Sequence, residues 1–301
     1  MSPSRYLTAT PPIIVKSCYT ALPLAKSRQV WHAIPVDIDR TQLSLGGWCT
    51  LPSSLSFELM ARAGFDWLCI DLQHGLIDVP TMVSMLQASA IVGTTTYVRV
   101  PSLDSAALMR VLDAGAAGAI APMVNTAEQA ETVVRACRYP PKGERSWGPA
   151  RAELGVPEYS ASVANDRTIC GVQIETLEAV ANLDDILQVE GIGLVMVGPS
   201  DLAVDLGLHP RAGVASARHG ELLAEIAEKC SKASIPVAVY GGTAAGAEEF
   251  VPLGYRMILV AHDAVLLRDG AASALRRLRD GSAPEGQEQV PREQVSPVAG
   301  A

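Results

Sequence analysis

The chain has no Cys-x-x-Cys pair, although it holds six cysteines: Cys18, Cys49, Cys69, Cys137, Cys170 and Cys230. The paired spacing used by metal and redox motifs is therefore missing. Cys69 and Cys170 sit inside apolar runs, where free thiols behave as small core hydrophobes, so a reducing, cytoplasmic setting is expected. No segment reaches the roughly 18–20 uninterrupted apolar residues that a membrane helix needs. Positive charge is also short: 24 Lys and Arg stand against 32 Asp and Glu, a net charge of -8. Nucleic acid or an anionic membrane surface would repel such a chain, so neither is expected as a partner and a small molecule is.

Acidic residues are absent from the first 36 positions, which carry Arg5, Lys16, Lys26, Arg28 and many Ser and Thr. That is the composition of an organelle transit peptide, but Pro3, Pro11, Pro12, Pro23 and Pro35 would interrupt its amphipathic helix. Residues 1–40 are accordingly expected to be a plain N-terminal extension. At the other end, "GSAPEGQEQVPREQVSPVAG" has too little apolar content to offset ordering entropy, and residues 281–301 read as a disordered tail.

What remains is apolar enough to bury a large core. Of the 301 residues, 49% are hydrophobic and only 19% charged, which suits one barrel-sized domain. Eight strand candidates recur between helical patterns: 45–50, 67–73, 96–101, 118–124, 170–176, 194–201, 236–242 and 256–263. Helices between them are signalled by Gly64 as a stop, Asp104 and Asn125 as openings, and Gly115 as another stop. Strands apolar on both faces, each followed by a helix, imply a parallel sheet covered by helices. Eight such units over residues 41–280 predict an α/β fold, a single-domain (β/α)8 TIM barrel. The rival doubly wound sheet lacks its Gly-rich fingerprint after the first strand.

In such barrels the chemistry lies at the C-terminal ends of the strands. The polar residues interrupting the apolar runs there are Asp71, Gln73, His74, Arg99, Gln173, Glu175, Ser200, Asp201, Gly241, Gly242, His262 and Asp263. Residues two apart on a strand share a face, so Gln173 and Glu175 should both project toward the mouth. Glu175 and Asp201, on adjacent strands, would then make a hard-cation site completed by water or substrate oxygens, suited to magnesium or manganese. Competing roles exist for each: a helix cap for Asp201, an ion pair with Arg99 for Glu175, a satisfied hydrogen-bonding residue for His74, and a surface or interface histidine for His262.

The segments "GFDWLCIDLQHG", "VRVP", "VLDAGAAGAIAPMV", "YPPKGERSWG", "VQIET" and "VGPSDLAVDLG" occur in one order between about Leu45 and Leu278. In that order the sequence resembles the HpcH/HpaI family of metal-dependent pyruvate aldolases. The resemblance implies a carbon–carbon lyase cleaving a 4-hydroxy-2-oxo acid to pyruvate and an aldehyde through a metal-bound pyruvate enolate. It implies Glu175 and Asp201 as ligands of Mg2+ or Mn2+, with Co2+ or Zn2+ as further candidates. It assigns substrate contacts to Arg99 and Gln173, and places the carboxylate of the oxo acid in the loop of Gly198, Pro199, Ser200 and Asp201. His74 matches an acid/base histidine, and Asp113 the carboxylate that orients it. A homo-oligomer, usually a hexamer, is implied as well. Arg145, in the loop after "YPPKGERSWG" begins, is a candidate for a substrate carboxylate.

The same metal site would serve an oxaloacetate decarboxylase resembling macrophomate synthase, or a CoA-ester lyase. Gly241 and Gly242 after the seventh strand raise a phosphate-binding barrel as a more distant alternative. His262 departs from the small residue expected there.

Overall fold

The computed structural model describes residues 42–154, 156–211 and 213–279; the expected extension and tail lie outside the described residues. Eight parallel strands close in sequence order, β1 to β8, with β8 pairing back to β1. They are β1 (Ser44–Cys49), β2 (Trp67–Asp71), β3 (Thr95–Arg99), β4 (Gly118–Ala121), β5 (Ile169–Ile174), β6 (Leu194–Val197), β7 (Val237–Tyr240) and β8 (Met257–His262). The expected (β/α)8 barrel is therefore present.

The helices are α1 (Ser54–Arg62), α2 (Val79–Val92), α3 (Ser105–Asp113), α4 (Ala127–Cys137), α5 (Ala161–Arg167), α6 (Leu177–Ala181), α7 (Leu183–Leu187), α8 (Pro199–Asp205), α9 (Ala217–Lys232), α10 (Ala244–Glu248) and α11 (Asp263–Arg279). Local chemistry sets most of the starts. Asp104 caps α3 as expected, its side chain accepting from the Ala106 amide. The cap of α4 is Thr126, one residue beyond the expected Asn125, and its hydroxyl accepts from the Gln129 amide. Gly64 and Gly115 follow α1 and α3 with positive φ, as a left-handed helix exit requires.

Alternation along the strands divides the core in two. One set, including Trp48, Trp67, Cys69, Tyr97, Ile120, Leu194, Met196, Ala238, Met257 and Leu259, fills the barrel interior. The intervening residues, such as Leu68, Ile70, Val98, Val172, Ile174 and Val239, pack outward against the helices. This parity decides which strand-end side chains reach the mouth. Arg99 follows Tyr97 inward, Asp71 follows Cys69, and Tyr240 follows Ala238.

Strand β8 breaks the alternation. Gly46 pairs with Leu259 but Gly47 pairs with Ala261, so Val260 is an extra residue in the ladder. Such a bulge reverses parity beyond it. Ala261 joins the outer core, and His262, level with Trp48, turns inward.

Candidate active site

The mouth is organised around Arg99 at the end of β3. Its Nε donates to Asp71 Oδ1 at 2.9 Å and its Nη2 to Asp71 Oδ2 at 2.8 Å, a two-pronged pair buried on both sides. Burial works against charge on Asp71, but the hydrogen bonds and charge of Arg99 prevail and hold the carboxyl below its ordinary value. Asp71 also accepts from Trp48 Nε1 at 3.2 Å and from the Gln73 amide at 3.0 Å. The guanidinium lies over the Trp48 ring, 4.7 Å from its centroid, and so has little freedom to rotate.

Gln173 and Glu175 occupy the inner face at the end of β5 and are both buried. Arg99 Nη1 approaches Gln173 Oε1 at 3.5 Å, and Gln173 Nε2 donates to Glu175 Oε2. The other oxygen of Glu175 accepts from the Met123 amide at 2.8 Å. Arg99 is thus the ion-pair partner of Asp71 rather than of Glu175, because Asp71 sits beside it on β2 in register. Burial pushes Glu175 up to about 7, and the charge of Asp201 adds to the rise against the opposing Met123 hydrogen bond.

Asp201 lies exposed in the first turn of α8, where Gly198 is the N-cap and no side chain caps the helix. The helix-cap role for Asp201 is therefore not realised. The Gly198 amide is spent on the Ile174 carbonyl at 3.1 Å, and Pro199 has none, so the loop offers the amides of Ser200 and Asp201 to an anion. Gly198 is needed for its size: a Cβ there would stand 2.6 Å from Glu175 Oε2 and 3.0 Å from Gln173 Nε2.

The donor set fits a divalent cation. It consists of two carboxylates close enough to repel each other, where burial and the charge of Asp201 leave Glu175 reluctant to ionise, so that a cation would relieve both. Among the described residues no group of three or more His, Cys, Asp or Glu is placed to hold a metal ion. A cation held by two side chains alone would keep open positions for water or substrate oxygens.

His74 sits beyond β2 at the mouth, exposed, with its amide 3.4 Å from Asp71 Oδ1 and no side-chain hydrogen bond among the described residues. The chain does not bring Asp113 to it. Asp113 ends α3, which runs back from the mouth, and it pairs with Arg145 Nη2 at 2.7 Å near the opposite rim. The loop holding Arg145 joins α4 to α5 at that rim too, and Arg145 is buried against Tyr139, so it does not face the mouth. The amides of Gly241 and Gly242 both donate to the Leu259 carbonyl, at 2.9 and 3.1 Å, leaving no cradle for phosphate.

A family model described as HpcH/HpaI aldolase/citrate lyase matches residues 45–269. The chain belongs to this family. A hydroxypyruvate/pyruvate aldolase of Rhizorhabdus wittichii is 36% identical over 236 residues, 78% of this chain and 94% of the relative. A 4-hydroxy-2-oxo-heptane-1,7-dioate aldolase of Klebsiella pneumoniae is 39% identical over 245 residues, 77% of this chain and 88% of the relative. The solved structure of macrophomate synthase superposes with a TM-score of 0.69 at 25% identity, covering 82% of this chain and 89% of that one.

Within this HpcH/HpaI barrel, four mouth residues escaped the sequence reading. Met123 was hidden as an apolar residue in a strand-like run, yet its φ of 56° aims its amide at Glu175. Trp48, Thr50 and Tyr240 were hidden likewise. An aromatic or Thr at a strand end carries no signal until the partner strand shows which way it faces.

Proposed function

We propose that this chain is a divalent-metal-dependent lyase that cleaves 4-hydroxy-2-oxo acids to pyruvate and an aldehyde. The observation that carries it is the inner-face group of Glu175, Gln173 and Arg99, joined by hydrogen bonds and flanked by Asp201. Its relatives named as aldolases support the same reaction class.

A cation bound by Glu175 and Asp201, Mg2+ or Mn2+ for an all-oxygen donor pair, supplies Lewis acidity to the 2-oxo acid. The chain's own residues do the rest. Ser200 and Asp201 amides receive the carboxylate of the oxo acid at the start of α8. Arg99, held rigid by Asp71 and Trp48, presents fixed positive charge where negative charge grows as the C3–C4 bond breaks. Gln173 keeps Glu175 turned inward. His74, exposed and free to move, takes the proton of the C4 hydroxyl, directly or through water. Among the described residues of one chain no side chain fixes its tautomer, since Asp113 is engaged elsewhere.

The likeness to macrophomate synthase supports one alternative, loss of carbon dioxide from oxaloacetate instead of an aldehyde from a hydroxy-oxo acid. A coupled pyruvate assay separates them. Release from 4-hydroxy-2-oxo acids, abolished by chelation and restored by Mg2+ or Mn2+, supports the aldolase; release from oxaloacetate only, or activity surviving thorough chelation, overturns it. A hexamer in the cytoplasm completes the proposal on the family resemblance, and sedimentation velocity tests the assembly.

A further inference from the structure

The arc of the mouth formed by β7, β8 and β1 carries a second polar group that the proposed chemistry leaves unused. Tyr240 ends β7 on the inner face, and the β8 bulge turns His262 toward it. Tyr240 Oη and His262 Nδ1 lie 3.0 Å apart, and His262 Nε2 lies 2.8 Å from Thr50 Oγ1. Thr50 Oγ1 is in turn 3.1 Å from Asp263 Oδ1. Asp263 also accepts from the Thr50 and Leu51 amides, both at 3.0 Å, so this carboxylate anchors the row.

The proton positions in this row follow from its fixed end. A carboxylate only accepts, so the Thr50 hydroxyl spends its proton on Asp263. Thr50 Oγ1 must then accept from His262, which places the imidazole proton on Nε2. Burial keeps His262 neutral by lowering its pKa, so Nδ1 accepts and the Tyr240 hydroxyl donates to it. What Tyr240 has left is an oxygen lone pair. The side chain is only partly buried and packs edge-on against Trp48, 5.7 Å between centroids, on whose ring Arg99 also rests. The lone pair is therefore presented to the mouth beside Arg99, on the arc of β7, β8 and β1.

Pyruvate held by residues of β3, β5 and β6 leaves this arc for the other product. We propose that Tyr240, oriented by His262, is a specificity-determining residue that accepts a hydrogen bond from a hydroxyl on the aldehyde-derived half of the substrate, selecting hydroxyaldehydes over alkyl aldehydes. The proposal rests on the lyase assignment above and extends it to the substrate class. Two features of this chain make the subsite: the bulge residue Val260, without which the alternation would turn His262 outward, and a histidine where a small residue was expected.

The test is condensation of pyruvate with glycolaldehyde and with the nearly isosteric propanal, in the presence of Mg2+. Wild-type enzyme should favour glycolaldehyde, and Tyr240→Phe should lower the glycolaldehyde-to-propanal ratio of kcat/KM about tenfold, mostly through KM. Phe preserves the edge contact with Trp48, so folding is retained. An unchanged ratio, or an equal fall for both aldehydes, overturns the proposal. Wild-type enzyme that forms neither adduct overturns the lyase assignment and this inference with it, whereas an active wild type with an unchanged ratio in Tyr240→Phe overturns this inference alone. The 15N spectrum of His262 at pH 7 checks the orientation separately: Nε2–H is expected, and Nδ1–H overturns the assigned role of Tyr240.

Discussion

Arg99 is placed to serve stability and, in the proposed reaction, chemistry as well. Its guanidinium neutralises Asp71 in a buried setting, so Arg99→Met would leave an unpaired carboxylate and cost about 3–5 kcal/mol of stability, measurable by urea unfolding. Arg99→Lys keeps the charge but loses the two-pronged fit. It should fold, while kcat/KM for a 4-hydroxy-2-oxo acid drops about 100-fold or more. Retention of full activity by Arg99→Lys would show that charge alone, without directed hydrogen bonds, is enough. Gly198 gives a complementary case, since an added methyl group would meet the movable end of Glu175 at 2.6 Å. Gly198→Ala is therefore expected to displace the carboxylate rather than unfold the barrel, weakening Mn2+ binding about tenfold by electron paramagnetic resonance titration. Affinity equal to wild type would mean that Glu175 does not contact the ion.

At the scale of elements, the inner face of β1 imposes a steric demand of its own. A Cβ on Gly46 would lie 2.5 Å from the Trp67 ring, which is fully buried inside the barrel and cannot move aside. Gly46→Ala should therefore cost about 1–3 kcal/mol in thermal or urea unfolding; a neutral result would mean that the interior is looser than its packing implies. The eight strands were legible in the sequence because runs such as "WLCID" are apolar on both faces and end on polar residues. Gln173 and Glu175 were legible as a pair because two-residue spacing survives any placement of the strand. The bulge was not, since Val260 is as apolar as its neighbours and only the pairing with Gly46 and Gly47 exposes the extra residue. Asp113 and Arg145 are not brought to the mouth within one chain, and the sequence could not show this for a related reason. Their residue types suit chemistry, but whether they face the mouth depends on helix direction, and both lie toward the far rim.

Across the whole molecule, the proposed metal site would couple to folding through Glu175. Its folded-state pKa rises from 4.5 to about 7, chiefly through burial and next through Asp201. A raised carboxyl pKa means that the metal-free fold favours the protonated form, so this contribution is fully present below about pH 4.5 and is lost as pH climbs through about 7. The displacement corresponds to at most about 3 kcal/mol. Metal-free protein should therefore lose several degrees of Tm between pH 5 and pH 8 beyond any change seen in Glu175→Gln. On the proposed assignment, added Mg2+ would bind the ionised form and act in the opposite direction, contributing about 2.7 kcal/mol at a hundredfold excess over Kd. The Mg2+-dependent gain in Tm should consequently be small at pH 5, where a proton competes for the carboxylate, and large at pH 8. Calorimetry with and without Mg2+ across this range decides the matter. Parallel curves would mean that Glu175 is not the group the ion displaces a proton from, whereas curves that converge at low pH in wild type and coincide in Glu175→Gln tie fold and cofactor to the same buried oxygen atoms.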